Sequence, residues 1–401
     1  MSVGVCIINQ NGIALAADSA GTFTNQNNKM FYNSVNKVFS LSKNNILGAI
    51  AYGNLSIYNV SVDQILKEFS KYLDETEKIN DFFEVIPLFK KFIEEKNDYY
   101  KFNLDESRIC KCYITELVNK WGAKINAVID EKEAEDKIEQ ILSELNTFIN
   151  NSDRFVEFDV VEYIKGFYKD YYDSEIDRVV SKLNLYSDKK TTLWELICTY
   201  FQLPLKSEAE SKTGIFFAGY GAEDAHPKFI KIDIYQIING KLKYSEISRF
   251  EESRLGARIV PLAQEDVILT FCKGMSNVYL GNIPQFAESM VNATIDKLPS
   301  TFDSVQKNEI KNAFSNYKKE LSQKINEQIE KNNIDPLLKS VMLISPLEMS
   351  FLAESLVNIT ALKRTYAIDG NQQTVGGPTD VAILTKCDGF VWIKKKNNLV
   401  V

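Results

Sequence analysis

The chain has 401 residues, more than one compact core usually needs, so two cores or one core with a large insertion are expected. Hydrophobic residues make up 45% and charged residues 25%, an ordinary globular composition. The net charge of −7 argues against a general nucleic-acid binder, which needs a basic face for phosphates, and no apolar run is long enough to predict a membrane span.

The amino terminus and the cysteines predict a cytoplasmic protein. The first residues lack the basic segment of a secretory signal, and their short apolar stretch runs into a polar turn at 9–12. The six cysteines are scattered, and the only close pair, Cys110 and Cys112, is a weak zinc signal without a second cluster. We therefore expect reduced structural thiols, no metal and no cofactor.

A single histidine, His226, limits the catalytic schemes that the chain could use. Ser-His-Asp and Cys-His arrangements would have to pass through this residue. It lies in a segment, 221–227, that reads as a turn between two strands, so a solvated loop histidine is the favoured interpretation. If the protein is an enzyme, we expect its base to be something other than imidazole.

In chain order, the patterns predict β, helical, β, helical and β regions. Strands are predicted at 2–8, 13–18, 37–41, 46–51, 214–220, 228–234, 242–248, 380–385 and 390–393. Apolar residues at helical spacing occur in the regions 56–203, 284–332 and 346–363. This order favours an α+β fold with two layers of antiparallel sheet and helices outside them, not a parallel α/β sheet.

Several short motifs follow one another along this framework. They lie at Gly12–Asp18, Lys37–Leu41, Gly48–Gly53, Ala218–Tyr220, Pro227–Asp233, Lys273–Ser276, Ala353–Arg364 and Val375–Val381. In this order they resemble proteasome β subunits and the peptidase ring of the bacterial two-component proteasome relative, which are N-terminal nucleophile (Ntn) hydrolases. The motifs cover roughly half of the chain.

The resemblance implies a four-layer αββα sandwich of two antiparallel sheets with large helical insertions. The sandwich would be formed by 1–55, by 206–283, and by 346–401 with its last helix and closing hairpin. The helical region 56–205 would include one large insertion, and 284–345 would be a second.

The resemblance also implies a catalytic site at the amino terminus. Once Met1 is removed, Ser2 would supply its hydroxyl as nucleophile and its α-amine as base, with an amine pKa near ~7.7–8. Lys37 would keep that amine neutral and lower the pKa of the hydroxyl, while Asp18 would pair with Lys37. The backbone N–H of Tyr52 or Gly53 would face the oxyanion.

The supporting residues depart from the family pattern. Val375 stands where the family has the serine of its Ser-Gly-Gly turn, although Thr374 could substitute if the register shifts by one. Gln372 replaces the aspartate before that turn, which leaves Asp369 as the nearest carboxylate. In the altered Gly-Ser-Gly turn, Ser276 is the one hydroxyl candidate.

Three functions remain open at this stage. The first is an endopeptidase that cleaves polypeptides in a homo-oligomer, with a separate ATP-dependent unfoldase if unfolding is required, because the chain has no phosphate-binding loop of its own. The second is an Ntn amidase for a small amide. The third is a catalytically silent proteasome-like subunit whose insertions form a binding surface. Cys6 is a weaker candidate nucleophile because it lies inside the first strand.

Overall fold

Two antiparallel five-stranded sheets form the centre of a mixed α+β structure, which confirms that part of the expectation. The computed structural model of the protein describes residues 2–25, 28–75, 78–127, 130–151, 159–179, 187–203, 212–251, 256–299, 301–366 and 375–396. The predicted boundary at 205 and 206 lies outside these residues.

The first sheet contains both ends of the described chain. Its strands are β1 (Val3–Asn9), β2 (Gly12–Ala17), β12 (Arg258–Ala263), β13 (Asp380–Thr385) and β14 (Gly389–Lys394), in the order β12-β1-β2-β13-β14. The strand β1 is therefore central, between the edge strand β12 and its hairpin partner β2.

The second sheet combines the early strands with those that follow the first helical region. Its strands are β5 (Val38–Ser40), β6 (Ile46–Gly53), β9 (Thr213–Tyr220), β10 (Lys228–Ile238) and β11 (Lys241–Phe250), in the order β11-β10-β9-β6-β5. Two hairpins stand apart from both sheets. They are β3 (Gly21–Asn25) with β4 (Asn28–Tyr32), and β7 (Ser56–Ile57) with β8 (Val60–Ser61).

The two sheets pack face to face through one apolar cluster. Cys6 and Leu15 of the first sheet belong to the same buried cluster as Ile50 and Phe216 of the second. Because side chains alternate along a strand, the opposite face of each sheet is also available for packing. Both faces are apolar here, and helices cover the outer ones.

Helices from different parts of the chain cover the outer faces. The helices α1 (Val62–Glu75) and α2 (Val85–Glu95) bury Phe69 and Phe89 against Phe217 of the second sheet. A short 3₁₀ turn (Phe82–Glu84) precedes α2, and α3 (Asn97–Tyr100) follows it. The last helix, α13 (Pro346–Tyr366), packs on the outer face of β1 and β2.

The remainder of the first helical region builds a core of its own. Its helices are α4 (Phe102–Asn126), α5 (Glu131–Asn151), α6 (Val161–Phe167), α7 (Lys169–Val179) and α8 (Ser187–Tyr200). Tyr172 stacks on Trp194 inside this cluster, with ring centroids 4.7 Å apart. The buried carboxylate of Glu106 joins it to the sheet, because Glu106 accepts from the Tyr163 and Tyr168 hydroxyls and from the Asn239 N–H.

The second helical region begins earlier than the sequence predicted. It contains α9 (Asp266–Lys273), α10 (Asn277–Asp296), α11 (Ser304–Ile329), a π-helical turn (Glu330–Ile334) and α12 (Asp335–Leu343). Pro284, taken as the start of this region, lies inside α10. Ser276 caps the helix eight residues before Pro284, a signal that outweighs the missing proline N–H. Within the described ranges, no helix is both long and apolar enough to cross a membrane.

Candidate active site

The carboxylate of Asp18 accepts hydrogen bonds from residues in separate parts of the chain. Its Oδ1 accepts from Lys37 Nζ at 2.5 Å and from the Val3 N–H at 3.0 Å. Its Oδ2 accepts from the Gly376 N–H at 3.0 Å and from the Ala20 N–H at 3.3 Å. The predicted pairing of Asp18 with Lys37 is therefore present, and both side chains are 1% exposed.

The strand arrangement explains why these groups meet. Asp18 follows directly after β2, whose partner β1 begins beside it, and the Asp18 N–H donates to Val3 O at 3.1 Å. Lys37 directly precedes β5 in the facing sheet, and its carbonyl accepts from the Ala51 N–H at 2.8 Å. Face-to-face packing of the sheets brings the two strand ends together, so residues 19 positions apart form one buried pair.

Ser2 extends β1 towards this pair. Its carbonyl accepts from the Gln264 N–H at 3.2 Å, which continues the pairing of β1 with β12 by one residue. A Cβ at Gly4 would lie 3.2 Å from Ile50 Cγ2, so even-numbered residues of β1 face the second sheet. Alternation directs the Ser2 side chain to the same face, which is also the side of Lys37. Ser2 is 3% exposed.

Lys37 lies close to the Ser2–Val3 peptide, because Lys37 and the Val3 N–H share an acceptor. Because Lys37 Nζ and the Val3 nitrogen both bind Asp18 Oδ1, they are separated by no more than the sum of those two distances. Burial lowers the pKa of Lys37, and the negative charge of Asp18 opposes that shift. The ion pair thus favours the ammonium form in a site that otherwise disfavours charge.

A second buried ion pair, which the sequence did not single out, lies near the first. Lys396 Nζ binds Asp380 Oδ2 at 2.9 Å and also donates to the Val35 carbonyl. Its positive charge contributes to the lowered pKa of Lys37, and the charge of Asp380 opposes it. The one available sequence signal was Asp380 at the start of the final hairpin, two residues after Pro378 of the Gly-Gly-Pro turn.

The geometry distinguishes between the two candidate oxyanion donors, Tyr52 and Gly53. The Ala51 N–H points towards β5, where it meets Lys37 O. Successive N–H groups of a strand alternate in direction, so the Tyr52 N–H faces β9 and the Gly53 N–H returns to the β5 side. Gly53 is exposed and has φ +76°, and a Cβ there would lie 2.8 Å from Lys212 O. The Gly53 N–H is therefore the better placed donor.

The Tyr52 side chain has a different role. Its hydroxyl donates to Asp233 Oδ1 at 2.9 Å, and Lys212 Nζ binds Asp233 Oδ2 at 2.5 Å. Burial, together with the negative charge of Asp233, raises the pKa of Tyr52 far above its usual value. Tyr52 is thus a neutral hydrogen-bond donor that ties β6 to β10.

Ser276, the other predicted site residue that the structure describes, does not bind Asp18. Ser276 is the N-cap of α10, and its hydroxyl accepts from the Tyr279 N–H at 3.4 Å. Asp369 and Thr374 lie outside the described residues. Val375 is buried and leaves an apolar side chain at the turn whose next residue, Gly376, binds Asp18.

His226 is exposed in the turn between β9 and β10, as its sequence context indicated. No group of three or more His, Cys, Asp or Glu residues within the described ranges is arranged to hold a metal ion.

Comparison with known proteins does not assign the chain to a family. No protein-family model matches it, and no curated protein matches it significantly.

Proposed function

We propose that this protein is a proteasome-like Ntn hydrolase that cleaves peptide bonds through Ser2. The observation that carries the proposal is the shared Asp18 carboxylate, which holds the Lys37 ammonium next to the Ser2–Val3 peptide. We infer in addition that the two sheets and their covering helices form the four-layer αββα sandwich of that superfamily. The order of layers supports this inference, because one apolar cluster separates the sheets and helices cover both outer faces.

In the proposed reaction the α-amine of Ser2 is the general base. An α-amine with a pKa near ~7.7–8 is partly neutral at pH 7, and the adjacent Lys37 ammonium lowers that pKa further. The amine takes the proton of the Ser2 hydroxyl as Oγ attacks the peptide carbonyl, and the Gly53 N–H donates to the oxyanion. The same proton then passes to the departing amine, leaving an acyl ester on Ser2.

Water completes the cycle. The α-amine, free again after the first product leaves, takes a proton from water as the hydroxide equivalent attacks the ester. Ser2 Oγ recovers that proton when the acyl group departs as a carboxylic acid. No histidine, metal or cofactor enters either half of the reaction. The substrate we propose is a polypeptide, handled by a cytoplasmic homo-oligomer and delivered by a separate unfoldase where unfolding is required.

One set of observations favours a second candidate, a catalytically silent subunit. Ser2, Asp18 and Lys37 are almost fully buried, and the hydroxyl that the family places at position 375 is replaced by valine. A buried ion pair whose carboxylate accepts several backbone N–H groups also holds strand ends together. In this alternative, the helical cluster of α4–α8 would be the interaction surface.

Peptide hydrolysis by a chain with a defined first residue tests the proposal. A cleavable amino-terminal fusion is removed so that Ser2 becomes residue one, and fluorogenic peptides are supplied. We expect turnover by this form and by Ser2→Thr, which keeps a hydroxyl, and none by Ser2→Ala. The uncleaved fusion should be at least about 100-fold slower, because it lacks the free amine base. Equal rates for the cleaved protein and Ser2→Ala would refute the catalytic role and favour the silent subunit.

A further inference from the structure

A cavity of about 240 Å³ lies where the first helical region meets the second sheet. Its walls come from the segment after β6, the first residue of β9, the end of β10 and one face of α4. Six of the lining residues are aromatic or aliphatic and four are polar. The residues that matter to the argument are Tyr58, Ile109, Tyr113, Thr213, Ile234 and Gln236.

Gln236 is the polar group that needs a partner. It lines the cavity and is 3% exposed, and its Oε1, which is itself shielded from the cavity space, has no hydrogen-bond partner among the described residues. The pairing of β10 with β11 shifts register between Ile234 and Gln236. Such a bulge redirects a side chain and is common beside binding sites. A buried acceptor without a partner is costly, so a ligand with a matching donor gains by filling it.

The wall formed by Tyr58 is held rigidly. Tyr58 has φ 53°, a left-handed conformation that is unusual for a tyrosine. Its hydroxyl donates to Ile237 O at 2.5 Å and accepts from the Ile237 N–H at 3.1 Å. Nearby, Thr213 Oγ1 donates to Ser56 O at 2.9 Å. These bonds fix the Tyr58 and Thr213 walls before any ligand arrives, which reduces the entropic cost of binding.

We propose that this cavity binds a planar aromatic group of about the size of indole that carries one N–H donor. An apolar cavity of about 150 Å³ is known to accept benzene, so a cavity of 240 Å³ has room for a fused bicyclic ring. Tyrosine rings suit an aromatic guest through stacked or edge-to-face contacts. The N–H of the guest would donate to Gln236 Oε1 once the Gln236 amide turns towards the cavity.

The cavity is separate from the candidate active site. It lies on the β9 and β10 side of β6, whereas the Gly53 N–H faces the β5 side. The two are nevertheless linked in sequence, because Asn54 at the cavity follows Gly53 directly. Binding at the cavity does not depend on catalysis by Ser2 and is tested without a substrate turnover assay.

A matched pair of ligands tests the proposed hydrogen bond. Indole and benzofuran have nearly the same shape, but benzofuran has an oxygen in place of the N–H. Saturation-transfer NMR detects binding to the full-length protein, and calorimetric titration gives the affinities. We expect saturable binding of indole and at least about tenfold weaker binding of benzofuran. No saturable binding of indole, or equal affinities for the two, would overturn the proposal.

Variants locate the binding at this cavity. Gln236→Met keeps the side-chain volume but removes the acceptor, so it should weaken indole at least about tenfold and abolish its advantage over benzofuran. Ile109→Trp should fill the cavity from the half-buried face of α4 and abolish binding. Leu104→Trp, at a position 66% exposed on the same helix, is the matched control and should bind as the unchanged protein does. Unchanged indole binding by both Gln236→Met and Ile109→Trp would contradict the assignment.

A third comparison identifies the source of the aromatic group. A short capped peptide with a central tryptophan is titrated alongside free indole. Tighter binding of the peptide would assign the cavity to a tryptophan side chain of a polypeptide, and binding of indole alone would assign it to a free small molecule. Failure of both would reject the site.

Discussion

The buried pair of Asp18 and Lys37 gives the sharpest test of how the candidate site is held together. Lys37→Met removes the ammonium but keeps most of the side-chain volume, and it leaves the Asp18 carboxylate buried without a counter-charge. Breaking a buried pair in this way costs about 3–5 kcal/mol of the free energy of unfolding. Asp18→Asn should cost a similar amount, because it leaves the Lys37 ammonium unpaired and replaces an acceptor of backbone N–H groups.

A double-mutant cycle isolates the interaction between the two side chains. Urea unfolding at pH 7 is measured for the protein, for both single variants and for Asp18→Asn with Lys37→Met. The double variant should be less destabilised than the sum of the singles, with a coupling of about 1–3 kcal/mol. The exposed pair of Lys67 and Asp63 is the control, and Lys67→Met should cost no more than about 0.5 kcal/mol. Additive single effects at positions 18 and 37 would refute the reasoning.

Three further predictions follow from the same geometry. Gly53→Ala should cost about 1–2 kcal/mol and lower any peptidase activity, because φ +76° is unfavourable for alanine and its Cβ would meet Lys212 O; normal stability in urea would contradict this. The pKa of Lys37 is lowered on folding, so the unfolded chain binds more protons than the folded chain at a pH between the two pKa values. The free energy of unfolding of the unchanged protein therefore gains a contribution that rises with pH and that Lys37→Met lacks. The destabilisation by Lys37→Met should thus grow as the pH rises from 8 to 10 in the same urea assay. Burial raises the pKa of Cys198 to about 12 and that of Cys6 well above its usual value, so a maleimide at pH 8 should label the exposed Cys112 and Cys387 first, as read by peptide mass spectrometry.

The strands near the candidate site could be predicted because their local signals are strong. The hairpin of β1 and β2 combines apolar, β-branched residues with a polar turn, and the family resemblance implied that Asp18 pairs with Lys37. Strand β12 was missed because Pro261 interrupts its pattern; the structure places it at a sheet edge, where proline is tolerated. The hairpin of β3 and β4 was missed because its polar residues read as a loop.

Other features depend on tertiary packing that periodicity does not report. Helical spacing predicted the helices of the first helical region, but not that α4–α8 would bury their faces against one another, with Glu106 as the link to the sheet. The direction of the Gly53 N–H follows from the pairing register of β6, which a single sequence does not reveal. Lys396 lies far from Lys37 in sequence, so the effect of its charge on Lys37 could be recognised only from the folded chain.

Intact-mass analysis with a hydroxyl-directed β-lactone tests the central claim most directly. The intact mass of the purified protein is measured before and after treatment, together with those of Ser2→Ala and Lys37→Ala. The account predicts that residue one is Ser2 and that the protein gains a single covalent adduct, which peptide mapping places on Ser2 and which neither variant forms. A chain that retains Met1, or one that begins at Ser2 and never takes the label, would contradict the proposed hydrolase and favour the silent subunit.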